Sequence, residues 1–171
     1  MLKLRPYDPS DAETILRWVK DERAFRQWTA DRYDRYPVTP ADMQKHYKEM
    51  SSGGRFYPMT ACDDTGVVGH LILRYPGQTT EEVRLGFIIV DDVRRGMGYG
   101  KRLLRLAIRY ALEKLQAKRI TLGVFENNPA AYYCYRAVGF RDVTGEKPEY
   151  YSVMGEKWKC LELEYCPEEI A

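Results

Sequence analysis

The 171-residue sequence predicts an α/β fold, with a mixed central sheet and helices on both faces. Segments of helical apolar periodicity alternate with β-rich runs, in the order β, α, α, β-hairpin, β, α, β, α, β, β. A hairpin followed by strand–helix–strand units requires both antiparallel and parallel pairing, hence a mixed sheet. No repeat, low-complexity tract or Gly/Ser linker interrupts this order, and "SSGG" at 51–54 is short enough to be a turn. Residues 1–171 are therefore read as one domain.

"MLKLRPY" alternates apolar and polar residues up to Pro6 and reads as a strand. Ser10 and Glu13 have capping-box spacing, and Ala12, Ile15, Leu16 and Val19 follow at helical spacing, giving a first helix over 11–22. Thr39 and Pro40 start a second helix, with Met43, Tyr47 and Met50 on its apolar face. "FYPMTACDDTGVVGHLILRY" is a hairpin turning at "DDTG". "EEVRLGFIIV" (81–90) ends almost wholly apolar, as a central strand does. A helix near 98–115 buries Leu103, Leu104, Ala107, Ile108, Ala111, Leu112 and Leu115, and "RITLGVFE" (119–126) is a further buried strand. Pro129 opens a short helix and Gly139 stops it. Two strands end the chain, and the apolar residues of "KWKCLELEY" change faces partway along it.

Composition narrows the function classes. The chain carries a net charge of +2, so electrostatics gives no reason to expect a nucleic-acid or membrane partner. No run approaches a membrane span, and the N-terminus lacks the apolar core of a signal peptide. Cys62, Cys134, Cys160 and Cys166 form no C-x-x-C pair, and His46 and His70 are not at zinc spacing from them. Reduced thiols, no metal and a cytoplasmic location are the expectation.

The chemistry centres on "RRGMGYGKR", between the strand ending at Val90 and the long helix. Gly96, Gly98 and Gly100 leave successive backbone N–H groups free to converge on an anion. The helix N-terminus adds unpaired donors, and Arg94, Arg95, Lys101 and Arg102 add charge. A nucleotide P-loop does not fit, because Arg95 and Arg102 stand where its first Gly and its magnesium-binding Ser/Thr belong. A dinucleotide fingerprint does not fit either, because the spacing is G-x-G-x-G and the preceding strand is not the first.

Arg95-Gly96-Met97-Gly98-Tyr99-Gly100 resembles the coenzyme-A loop of the GNAT superfamily of acyl-CoA N-acyltransferases. "NPAAYYCYRAVGF" is similar to a second segment of that family, with Asn128, Ala131, Tyr135, Gly139 and Phe140 on its pattern. The resemblance covers 81–141 most strongly. The opening "LRPYDPSDAETILRW" is similar to the ribosomal-protein N-terminal acetyltransferases.

The resemblance implies that acetyl-CoA binds, through the loop from Arg95 to Lys101 and through Asn128 and Ala131. Its pantetheine arm would run along the backbone of Ile88, Ile89 and Val90, in a gap where the strands ending at Val90 and Glu126 splay apart. Tyr135 would hydrogen-bond the departing sulfur. The family's usual Glu just before "LGF" is Arg84 here, leaving Glu82 and Glu126 as candidate bases.

The acceptor would be the primary amine of a small molecule or of a protein N-terminus. Trp28, Tyr33 and Tyr36, interleaved with Asp31 and Asp34, are suited to hold a cation. A non-catalytic acyl-CoA-binding module is the alternative, an RNA-associated protein is a remoter one, and the C-terminal strand is a candidate for pairing across a homodimer.

Overall fold

The structure is a computed structural model that describes residues 1–167. The chain runs β1 (Lys3–Pro6), α1 (Ala12–Arg17), α2 (Glu22–Thr29), α3 (Pro40–Ser51), β2 (Phe56–Asp63), β3 (Gly66–Arg74), β4 (Glu82–Val90), α4 (Tyr99–Glu113), β5 (Arg119–Phe125), α5 (Pro129–Val138), β6 (Phe140–Asp142), β7 (Glu149–Val153) and β8 (Glu156–Tyr165). One eight-stranded sheet has the order β1-β2-β3-β4-β5-β8-β6, with β7 also pairing β8. Among the described strands only β4 and β5 pair in parallel, so the sheet is mixed, as expected. None of the described helices is long and apolar enough to cross a membrane.

The N-terminal region departs from expectation. The helix expected over 11–22 is two helices, and Asp8 rather than Ser10 caps the entry, sharing reciprocal bonds with the turn that ends at Asp11. Arg5 grips Asp11 with two bonds of 2.8 Å and Thr60 donates to it at 2.9 Å, clamping the start of α1 to β1 and β2. Burial alone would raise the Asp11 pKa, but the hydrogen bonds from Arg5, Asp8 N–H and Thr60 outweigh it and lower it. α1 stops at Arg17. The Asp21 carboxylate then accepts from Ala24 N–H at 2.7 Å and starts α2. Residues 25–28, which the sequence places outside any expected helix, are therefore helical. Thr39 caps α3 as expected, with Asp42 completing a capping box.

The sheet is covered on both faces. On one, Leu103, Leu104, Ala107 and Ile108 of α4 pack against Leu71, Leu85, Ile120 and Leu122; Leu112, expected in that stripe, is exposed. On the other, Ile15 of α1 and Met43 and Tyr47 of α3 pack over Phe56, Ile72 and Ile89. The end of the chain carries three strands rather than two. β8 is covered on both sides, with Trp158 packed on Phe125 and Leu163 in the larger core, so its apolar residues do not mark a change of register. β8 also has ladder partners on both edges, β5 on one and β6 and β7 on the other.

Candidate active site

The site begins where the sheet opens. β4 and β5 pair from Glu82↔Arg119 to Leu85↔Leu122, and there the ladder stops. β4 continues to Val90 while β5 follows β8 to Phe125. A bulge marks the same place: β3 pairs Ile72 with Gly86 and His70 with Ile89, so β4 carries one residue more than its partner. Phe87 takes up the excess at φ +48, a conformation that costs a bulky residue energy and gathers at functional sites. Its ring lies against Trp28 at 5.9 Å and His46 at 6.0 Å, forming an aromatic wall. Ile88, Ile89 and Val90 thus lie on the stretch of β4 whose β5 side is open; Ile89 and Val90 keep β3 on the other side.

The glycine loop follows this stretch directly. Gly96 and Gly98 have φ of +79 and +84, and Gly98 starts α4 with no side-chain cap. No backbone bond among the described residues engages the N–H groups of residues 95–101; the first helical bond is Arg102 N–H to Gly98 O. Arg95, Met97 and Lys101 are exposed around these donors, and Gly100 approaches α5, where a Cβ would lie 3.3 Å from Cys134 Sγ. Arg94, expected to add charge at the loop, is instead spent on Asp63, Thr65 and the Tyr99 hydroxyl, which brace the loop against the β2–β3 turn. The loop can hold a pyrophosphate on a run of N–H groups at a helix start, as the chemistry of coenzyme A requires.

α5 packs against α4 and β5. The Asn128 side chain caps α5 by accepting from Ala131 N–H at 3.4 Å, and Ala131 is partly buried against the core. Tyr135 is 8% exposed, and no side-chain hydrogen bond among the described residues involves its hydroxyl. Burial, and secondarily Cys134, pushes its pKa up.

Neither candidate base lines the cleft at the opening. Glu82 is at the closed end of the β4–β5 pair, accepting from Thr121 Oγ1 at 2.6 Å and facing Arg119 at 3.5 Å. Glu126 is a surface carboxylate 3.6 Å from Lys159. Asp31 and Asp34 are exposed and do not line the cleft behind Gly86 and Phe87, although Trp28 does. Among the described residues that cleft has no acidic lining; it has Arg32, Arg74, Arg84 and His46, and an empty volume near 860 Å³ including its open mouth. Arg84 is fixed by Glu162, with its second contact at 3.0 Å, and by Thr121 at 3.2 Å. Burial lowers the His46 pKa.

Comparison with known proteins fits this geometry. Residues 1–141 match the family model described as the acetyltransferase (GNAT) domain. The chain belongs to the GNAT family. A spermine/spermidine N(1)-acetyltransferase of Bacillus subtilis (strain 168) is 37% identical over 70 residues, which are 38% of this GNAT chain and 46% of that protein, less than half its length. The spermidine N(1)-acetyltransferase of Escherichia coli (strain K12) is 24% identical over 155 residues, 91% of this chain and 80% of the relative. The spermidine N-acetyltransferase of Vibrio cholerae, solved with CoA and spermine, superposes with a TM-score of 0.79 at 18% identity, covering 95% and 94% of the two chains. A putative phosphinothricin N-acetyltransferase gives 0.76 at 24%, covering 99% and 100%. At these identities the two structures establish the GNAT fold. The two sequence relatives are named as polyamine acetyltransferases, not ribosomal-protein acetyltransferases.

Within this GNAT chain, sequence reasoning missed Arg74, Arg32 and His46 in the cleft. Only Arg84 left a signal, as a cation in the place of the family's usual Glu.

Proposed function

We propose that this chain transfers acetyl from acetyl-CoA to the primary amine of a small molecule, by direct attack in a ternary complex. The observation that carries the reading is that the β4–β5 ladder ends at Leu85↔Leu122, beside a wide cleft and just before a loop of unengaged N–H groups. Acetyl-CoA supplies an acyl group activated as a thioester, so the N–C bond forms as the C–S bond breaks and no acyl-enzyme is needed. The N–H groups of 95–101, with Arg95 and Lys101, bind the pyrophosphate. The open side of Ile88, Ile89 and Val90 binds the amide-bearing arm. Asn128 and Ala131 fix the start of α5 and so orient Tyr135, which donates a hydrogen bond to the departing sulfur. Because burial raises the Tyr135 pKa, it stays protonated and stabilises the thiolate without having to give up its proton.

The geometry favours His46 over Glu82 and Glu126 as the acceptor of the amine's proton. His46 lines the cleft, and its lowered pKa leaves it neutral near pH 7. Spermidine and spermine, the substrates named for relatives, and a peptide N-terminus are the first acceptors to assay.

Calorimetric titration with acetyl-CoA, followed by a thiol-release assay on wild type and Tyr135→Phe, tests the reading. It predicts micromolar binding in both, with kcat lowered about 10- to 100-fold in the variant. Binding without turnover on any amine identifies a non-catalytic acyl-CoA module instead, and no binding sinks the reading altogether.

A further inference from the structure

We propose that the acceptor carries a carboxylate near its amine, and that Arg74 seats this carboxylate in the cleft between Arg32 and Arg84. The inference rests on the acetyl-transfer reading and adds the acceptor's charge and size. Arg74 and Arg84 stand directly opposite each other on β3 and β4. Like charges in that relation oppose folding. Arg84 is neutralised by Glu162, and its guanidinium lies over Gly123, where a Cβ would come within 2.9 Å of it.

Arg74 has no such partner. It is half-buried, and among the described residues its side chain enters no hydrogen bond or ion pair. Burial first, and then Arg84 and Arg32, press its pKa down. No described Asp or Glu lines the cleft; Glu82, on β4, opposes the shift only in part. A half-buried guanidinium without a partner is costly in a fold, and a carboxylate ligand would satisfy it with two parallel hydrogen bonds.

The register also bears on the acceptor's size. Arg84 lies two residues before Gly86, about 7 Å along the strand. An amine at the opening and a carboxylate on the arginine pair can therefore belong to one small molecule. The same charges favour the neutral, nucleophilic form of the incoming amine. A polyamine would bring further positive charges against them.

The test uses the whole chain with L-amino acids, their carboxamides and spermidine as acceptors. Turnover is read by thiol release, and equilibrium binding by titrating the amino acids into protein loaded with desulfo-CoA. The best amino acid should exceed its own amide and spermidine by about tenfold or more in kcat/KM. Arg74→Gln should abolish that preference by raising the acid's KM, leaving the KM for acetyl-CoA unchanged and the Tm equal or higher. Arg74→Lys should restore part of it.

An amide or spermidine used as well as the acid, or a preference that survives in Arg74→Gln, overturns the carboxylate seat and leaves acetyl transfer standing. Arg74-dependent binding of an amino acid without turnover does the reverse. Absence of both binding and turnover with every amino acid tested sinks the carboxylate seat.

Discussion

Gly123 sets the position of one charged group. A Cβ there would stand 2.9 Å from Arg84 Nη2 and 3.1 Å from Cys160 Sγ, so any larger residue pushes the guanidinium off its place beside Glu162. Gly123→Ala should cost about 1–3 kcal/mol in urea unfolding and raise the acceptor KM, with the acetyl-CoA KM unmoved. The proposed reaction puts Tyr135 at the departing sulfur. Removing its hydroxyl removes a hydrogen bond that matters only as the sulfur gains charge. Tyr135→Phe should therefore lower kcat about 10- to 100-fold while calorimetry finds the acetyl-CoA Kd unchanged. Since burial raises the Tyr135 pKa above its ordinary value of 10.0, the protonated form persists into alkali. No fall in rate below pH 10 should trace to this residue.

Among the elements, the loop into α4 joins sequence to function most directly. Gly98 is the residue before the helix, at φ +84, and only its missing Cβ makes that conformation inexpensive. Gly98→Ala should cost about 1–2 kcal/mol and weaken acetyl-CoA binding about tenfold, as measured by calorimetry, without changing the acceptor KM. This element was legible because its signals are local: closely spaced glycines, flanking cations and a long apolar stripe. α2 was not legible. It has eight residues, with Phe25 and Thr29 as its buried positions, and Trp28 is held by Phe87 from a distant strand. The opposition of Arg74 to Arg84 was hidden for a related reason. It depends on the β3–β4 register, which the connection between Arg74 and Glu82 sets, and no single strand's alternation reveals the pairing. The Arg84 departure was visible as a residue type, but Glu162, which holds it, comes from β8, across the sheet.

At the scale of the whole molecule, one buried histidine joins a helical layer to the sheet and makes their stability sensitive to acid. His70 lies within the sheet, and the Tyr47 hydroxyl of α3 meets its Nε2 at 2.7 Å, so the pair ties the α1–α3 layer to the sheet. Burial lowers the His70 pKa from its ordinary 6.5 to about 3. Between those values the unfolded chain binds a proton that the folded chain refuses. Stability is therefore complete above pH 6.5 and falls as pH drops, by about 1.4 kcal/mol per pH unit for one such group. His46, also lowered by burial, acts in the same direction. The carboxylates enter later: Asp11, held below its usual 3.8, gives up its contribution only as pH falls past that value. A window between pH 6.5 and 4.5 thus isolates the histidines. Urea unfolding across it should show wild type losing stability steeply. His70→Gln should start less stable at pH 7.5, because the packed ring is gone, yet fall less steeply by about 1.4 kcal/mol per pH unit, so that the two curves converge toward acid. Parallel curves would mean that the proton is taken up elsewhere and that the Tyr47–His70 pair joins the layers without sensing pH.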